Sequence, residues 1–343
     1  MENFSSKNPK FSSQIPYADG RPQAPLRLEA ADYGSVLRHG DEVDRYGARD
    51  VFVFEHGGKY FMHYDAAGEV GWLCALATSD DGVNWTKHGK VLELGKPGTP
   101  DGASASFGTV FFDSMAEPSW HMFYLGTPNE TEPGKVPAFP YQTLKARAEN
   151  PAGPWVKQPE VMSVAAIPGT FYADTASPGQ VIEHHGEYLM FFSAAERDGS
   201  GIKRTLGLAR TPDLNSAWTV DAKPLLPVDE QIENSTLYFE SSSSLWFLFT
   251  NHIGIHPETL EEYTDAVWVY WSSNLTHWNP DHKAVVLDRH NCTWSPNIVG
   301  LPSEVKIGSR LALYYDGCIS DDFGHMGRDV GLAWLELPMV PSV

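Results

Sequence analysis

The sequence predicts an all-β chain in which repeated four-stranded antiparallel units close into a ring, a five-bladed β-propeller. Three observations carry that expectation. Aromatic-rich hairpins recur five times, four of them are followed by the same tail of strand, polar turn, Trp and strand, and helix-length 3.6-residue periodicity is scarce.

The hairpins are residues 51–64, 109–126, 179–194, 236–251 and 297–317, each a run rich in Val, Phe and Tyr that turns at Gly or polar residues and runs back. The tails are residues 74–92, 144–162, 206–226 and 267–287, carrying Trp85, Trp155, Trp218 and Trp278. Four short strands per repeat fit a propeller blade better than a sandwich or a βαβ unit. The four tryptophans are expected to pack between neighbouring blades. The fifth hairpin is followed only by DVGLAWLEL, so the segment around residues 26–40 is expected to supply the missing outer strand and close the ring. The domain reading is an N-terminal extension over 1–25 and one propeller domain over 26–343.

Composition narrows the function. Against 25 Lys and Arg stand 44 Asp and Glu, a net charge of −19 that repels a phosphate backbone, so nucleic acid is excluded as a partner. Cys74, Cys292 and Cys318 are too few and too scattered for a disulfide scaffold or a paired metal site. No run approaches the ~20 apolar residues of a membrane span, and the opening 20 residues lack an apolar signal core. As written the chain reads as cytoplasmic with no membrane partner; a trimmed export signal would make it periplasmic or secreted. Nothing in the sequence fixes the oligomeric state.

Antiparallel pairing puts the head of each first strand and the end of each second strand at one rim. Three heads carry acids: Asp50, Asp174 and Glu233. A lone acid at a strand head can simply satisfy turn N–H groups. Three at equivalent positions point to a shared pocket. Around them the same rim is expected to gather Arg49, Asp65, Phe107, Glu196, His252, His290, Trp294 and Asp316, with Trp72, Phe107 and Trp294 as stacking platforms. An acidic, aromatic funnel suits an oligosaccharide or polysaccharide, whose hydroxyls need acceptors and whose C–H faces stack on rings. Cleaving a glycosidic bond needs one carboxylic acid to protonate the leaving oxygen and one carboxylate opposite. Arg49 is expected to pair with Asp50, lower its pKa and keep it ionised. The Gly-, Pro- and Ser-rich stretch 95–108 reads as a rim loop governing selectivity.

The order Asp50, Asp174, Glu233, with the segment Glu233-Asn-Ser-Thr-Leu-Tyr and His290-Asn, resembles glycoside hydrolase family 43 and its five-bladed relatives in families 32, 62, 68, 117 and 130. The resemblance implies Asp50 as general base, Asp174 as the residue that tunes and orients the acid, and Glu233 as general acid. It implies arabinofuranosides or xylosides of plant or algal glycans as substrates, no required cofactor, and a structural calcium at the propeller axis beside His290. The pattern departs at Val51 and Thr175, where the family has Pro nearby. The Asn-Asp-Pro nucleophile segment of families 32 and 68 is absent, which favours inversion. Two alternatives remain: a phosphorylase like those of family 130, and a non-catalytic carbohydrate-binding propeller.

Overall fold

The computed structural model describes residues 24–341 apart from 25, 115–118, 130–135, 200, 257 and 260. The extension expected over 1–25 lies outside the described residues except for Ala24. The fold is all-β: among the described residues the only helical element is a 3-10 turn at Val228–Glu230, and no helix is long and apolar enough to cross a membrane.

Strand pairing divides the chain into successive antiparallel units. Unit I comprises Gly47–His56, Lys59–Gly68, Gly71–Ser79 and Thr86–Lys90. Unit II comprises Ser104–Asp113, Ser119–Thr127, Gln142–Ala148 and Val156–Val164. The two are joined into one sheet by a short parallel pairing of Trp72 and Leu73 with Ser104 and Ala105. Unit III has a split first strand, Thr175–Ser177 and Val181–His184, then Glu187–Asp198, Gly201–Thr211 and Thr219–Val220. Unit IV comprises Ile232–Glu240, Leu245–Ile255, Glu262–Ser272 and Lys283–Asp288, with Leu26–Arg27 added in parallel at its outer edge. In unit V, Gly300–Ile307, Arg310–Cys318 and Arg328–Glu336 are completed by Ala31–Leu37, which pairs antiparallel with the last strand.

Second and third strands are apolar on both faces because each face meets a neighbouring unit. Separate cores fill the I/II, II/III, III/IV, IV/V and V/I junctions. The tail tryptophans serve these junctions, each packing against the preceding unit. Trp155 meets His63 edge-on at 5.7 Å, Trp218 meets Phe123 at 5.5 Å, and Trp85 meets Tyr314 of unit V at 5.6 Å. Trp278 lies in the III/IV core beside Leu189 and Leu206. Burying a side chain of this size contributes roughly 1.5–3 kcal/mol, so the joints hold much of the fold's stability.

One strand boundary differs from expectation. The head of the fifth first strand is Gly300, not the stretch His290–Trp294. A turn after the outer strand of unit IV accounts for the shift: Asn291 Oδ1 accepts from Asp288 N, and its Nδ2 donates to the carbonyls of Ala30 and Val286. Residues 289–299 therefore cross between units before the next strand can begin.

Candidate active site

The first strand of every unit is bent near its head. Register shifts fall after Arg49, Ser106, Glu233 and Gly300, and each holds a non-glycine residue at positive φ: Asp50 (50°), Phe107 (21°), Asn234 (57°) and Leu301 (27°). Such conformations cost on the order of 1–3 kcal/mol, least for Asp and Asn. A bulge there re-aims the neighbouring side chains. Unit III is broken instead at 178–180, where the backbone passes so close to its neighbour that a Cβ on Gly179 would lie 1.5 Å from the Phe191 carbonyl oxygen.

In unit I the bulge turns Asp50 onto its own neighbour. Arg49 Nε donates to Asp50 Oδ1 (2.8 Å) and Nη2 to Oδ2 (3.1 Å), while the guanidinium sits 5.4 Å over the Trp72 ring. Asp65, opposite Arg49 across the hairpin, accepts from Ser106 and from the Phe107 N–H, and its Oδ1 is buried without a hydrogen-bond partner. Burial and the nearby Asp50 charge raise Asp65 well above the usual carboxylate range. Asp50 N donates to Asp316 Oδ2 (3.1 Å), and Asp316 Oδ1 accepts from Arg328 Nη1 (2.9 Å), the Asp316 and Arg328 side chains being fully buried. Arg49 does pair with Asp50 as expected, yet the outcome for Asp50 is the opposite. Burial outweighs the guanidinium, Asp316 adds repulsion, and the carboxyl is pushed up to about 7.

In unit IV, Glu233 lies opposite Asn251 and pairs with Arg204 of unit III, Nη1 to Oε2 at 2.5 Å. Arg204 is shared: its Nε and Nη2 also hold Glu262, the latter at 2.9 Å from Oε2. The units converge at two further side chains. The Tyr141 hydroxyl of unit II, raised above its ordinary range mainly by burial, feels the charges of Arg204, Arg49, Glu233 and Asp65. His325, which precedes the last strand of unit V, places its Nδ1 2.6 Å from Arg49 Nη1 and feels Arg49, Arg328 and Arg204. Arg49, which holds Asp50, and Arg204, which holds Glu233, thus both act on Tyr141 and on His325.

The remaining expected residues divide. Asp174 does head its strand, but its Oδ2 accepts from Arg197 N (2.6 Å); among the described residues no ion pair or hydrogen bond links it to Asp50 or Glu233. Glu196 is half-buried opposite Lys203. Asp316 is a sealed partner of Arg328 rather than a surface that sugar could touch. Trp72 and Phe107 are not open platforms; both are buried in the I/II core or beneath Arg49. His252 lies on the opposite face of its strand from Asn251, fully buried, stacked on Trp268 at 3.5 Å. His290 is exposed beyond the outer strand of unit IV, and Trp294 donates to the Tyr315 hydroxyl (2.7 Å) beside the IV/V core. At the position for which calcium is implied, His290 is exposed and its backbone N–H donates to Asp288 Oδ1 (2.9 Å), and among the described residues no group of three His, Cys, Asp or Glu is placed to hold a metal. The rim loop before unit II is pinned by Asp101, which accepts from Tyr124 (2.9 Å) and Lys157 (2.5 Å).

Sequence reasoning missed Arg204, Glu262, Tyr141, His325 and Arg328, which sit on third strands or connecting loops. It also missed Phe139, half-buried within 5.6 Å of the Arg197 guanidinium and 5.9 Å of the Arg204 guanidinium, and 4.7 Å from the Tyr141 ring. The Pro-flanked aromatic run Pro137-Ala-Phe-Pro-Tyr141 was the available signal.

No family model and no curated protein matches the sequence. Solved structures do. BT0996 in its RGII complex matches at 16% identity, TM-score 0.70, over 92% of this protein and 94% of that one. The catalytic domain of a Coprinopsis cinerea GH62 α-L-arabinofuranosidase matches at 14% identity, TM-score 0.60, over 90% and 97%. A thermostable family-43 glycoside hydrolase matches at 12% identity, TM-score 0.62, over 90% and 97%. The protein has the fold of the propeller glycoside hydrolases.

Proposed function

We propose that the protein is a glycoside hydrolase on a single five-bladed propeller domain, residues 26–343, closed by the pairing of Ala31–Leu37 with the last strand. The V/I core and the Trp85–Tyr314 contact support the closed ring. The observation that carries the function is the convergence on Tyr141 of charges from three units: Arg49 and Asp65 of unit I, Arg204 of unit III and Glu233 of unit IV. In this reading Asp50 is the general base, taking a proton from water, and Glu233 the general acid. The charged group touching Glu233 is Arg204, so the orienting role that resemblance gives to Asp174 is assigned here to Arg204 and Glu262. Phe139 and Tyr141 supply the aromatic wall. Inversion and an arabinofuranoside or xyloside of plant or algal glycans follow from the family resemblance, and the similar GH62 arabinofuranosidase is consistent with that substrate class.

A phosphorylase needs unmatched cations for phosphate. Arg49, Arg204 and Arg328 already face Asp50, Glu233 with Glu262, and Asp316. The non-catalytic binding propeller has one observation in its favour: Asp174 and Glu233 are both engaged within the protein. A screen of nitrophenyl glycosides, with NMR of the first-formed anomer, decides. Turnover without phosphate that is lost in Glu233→Gln supports the hydrolase; binding of a sugar by both forms with no turnover by either supports the binding module.

A further inference from the structure

The rim loop after strand Arg310–Cys318 is tied down at three points. Phe323 packs edge-on against His256 and Tyr263 of the neighbouring rim in unit IV, centroids 4.9 Å apart in each case. Asn297 Nδ2 donates to the Asp321 carbonyl (3.0 Å), and Arg328 Nε donates to the Gly324 carbonyl (3.2 Å). The anchored loop carries His325 across to unit I, where Arg49 Nη1 lies 2.6 Å from His325 Nδ1.

That contact fixes the tautomer. A guanidinium has five N–H donors and no acceptor, so Nδ1 must be the accepting nitrogen. Burial, and then the charges of Arg49, Arg328 and Arg204, hold the ring well below its ordinary pKa, so it is neutral and its proton sits on Nε2. The side chain is half-buried, so it is not sealed into a core as Asp316 is.

We infer that His325 is a substrate-binding residue whose Nε2–H donates to a sugar oxygen beside Asp50, carried there by the anchored rim loop 319–327. The inference rests on the carbohydrate reading above. A series of contacts, Asp50 to Arg49 to His325, couples this donor to the proposed base, so one loop position would set how the sugar lies against the carboxylate. The donor is uncharged. It suits a neutral hydroxyl or ring oxygen and would not by itself recruit an anionic sugar.

A purely structural His325 would only prop Arg49, and two variants separate the roles. His325→Asn keeps an acceptor where Nδ1 stands but removes the Nε2 donor; His325→Ala removes both. With the best nitrophenyl glycoside, both variants are expected to lose about 10- to 100-fold in kcat/KM, the scale of one hydrogen bond to substrate. Full recovery in His325→Asn would reduce the residue to a prop and overturn the inference. Histidine-selective 15N spectra of the whole protein give a readout without turnover, His325 being assigned by the signal lost in His325→Asn. The expected spectrum between pH 6 and 8 has Nδ1 bare and Nε2 protonated, with the Nε2–H shifted by added L-arabinose or D-xylose. A protonated Nδ1 would overturn the inference. Turnover by a protein whose His325 signal ignores a bound sugar would sink it and leave the hydrolase standing; a protein that neither binds nor cleaves any sugar would sink both.

Discussion

Asp50 and Glu233 each face a guanidinium, but the two ends of the proposed site are built differently. Asp50 shares its surroundings with Asp65 and Asp316, and the compensating Arg328 lies fully buried behind it. Glu233 stands nearer solvent, its side chain 16% exposed, and shares one arginine with Glu262. The first end is a buried network in which Arg49 holds Asp50 and Arg328 holds Asp316, while Asp65 has no arginine of its own. The second is a bridge between two units that a ligand could enter and rearrange. A largely buried carboxylate beside another acid titrates near neutrality, which suits a group that must take up a proton during reaction.

The largest expected effect tests that division of labour. Asp50→Asn and Glu233→Gln should each lower kcat about 10²- to 10⁴-fold on an ordinary aryl glycoside. A leaving group that departs without protonation, such as dinitrophenolate, should restore much of the rate to Glu233→Gln and little to Asp50→Asn. Steady-state kinetics with the two leaving groups check this, and rescue of Asp50→Asn instead would exchange the two roles.

Stability should separate the ends next. Arg328→Met strands Asp316 as an uncompensated buried charge, a loss of about 3–5 kcal/mol. Arg204→Met leaves Glu233 and Glu262 within reach of water and should cost clearly less. Urea unfolding of both variants measures the difference; equal losses would mean the Glu233 bridge is as structural as the Asp316 pair.

Much of this was legible in the sequence because propeller strands carry local signals. Hairpin turns, alternating aromatics and a Trp at a fixed point in each tail marked out the units; Asp50 and Glu233 both lie at first-strand heads, but one position apart, since the bulge puts Asn234 where unit I has Asp50. The misses have three causes, the first being that head position at a rim does not specify side-chain direction. Asp316 and His252 sit at the right rim but turn inward, Asp316 to Arg328 and His252 to Trp268. Arg204, Glu262 and Arg328 come from third strands, whose contribution depends on cross-unit packing that no single repeat encodes. His325 and Tyr141 lie in connections, where sequence pattern gives no register at all.

The smallest effect is the most specific to the Asp50 end. A base must be ionised, so kcat/KM should rise with pH through a limb near 7, set first by burial, against it by Arg49, and upward again by Asp316. Asp316→Asn removes the like charge and leaves Arg328 free to act on Asp50, so the limb should move to lower pH by about one unit. Stability carries the same titration with a definite sign. The folded pKa lies above the ordinary aspartate value of 3.8, so between about 4 and about 7 the folded state holds a proton the unfolded protein has released. The Asp50 contribution to stability should therefore fall as pH rises across that window, the loss being complete above the folded value; Asp65 should add to the fall because burial raises it too, while His63, His121 and His325, held down by burial, pull the other way. Asp50→Asn should flatten part of the slope in urea midpoints measured from about pH 4 to about pH 8. A slope that is the same in wild type and Asp50→Asn would mean that Arg49 offsets burial, and the two ends of the site would then differ only in position.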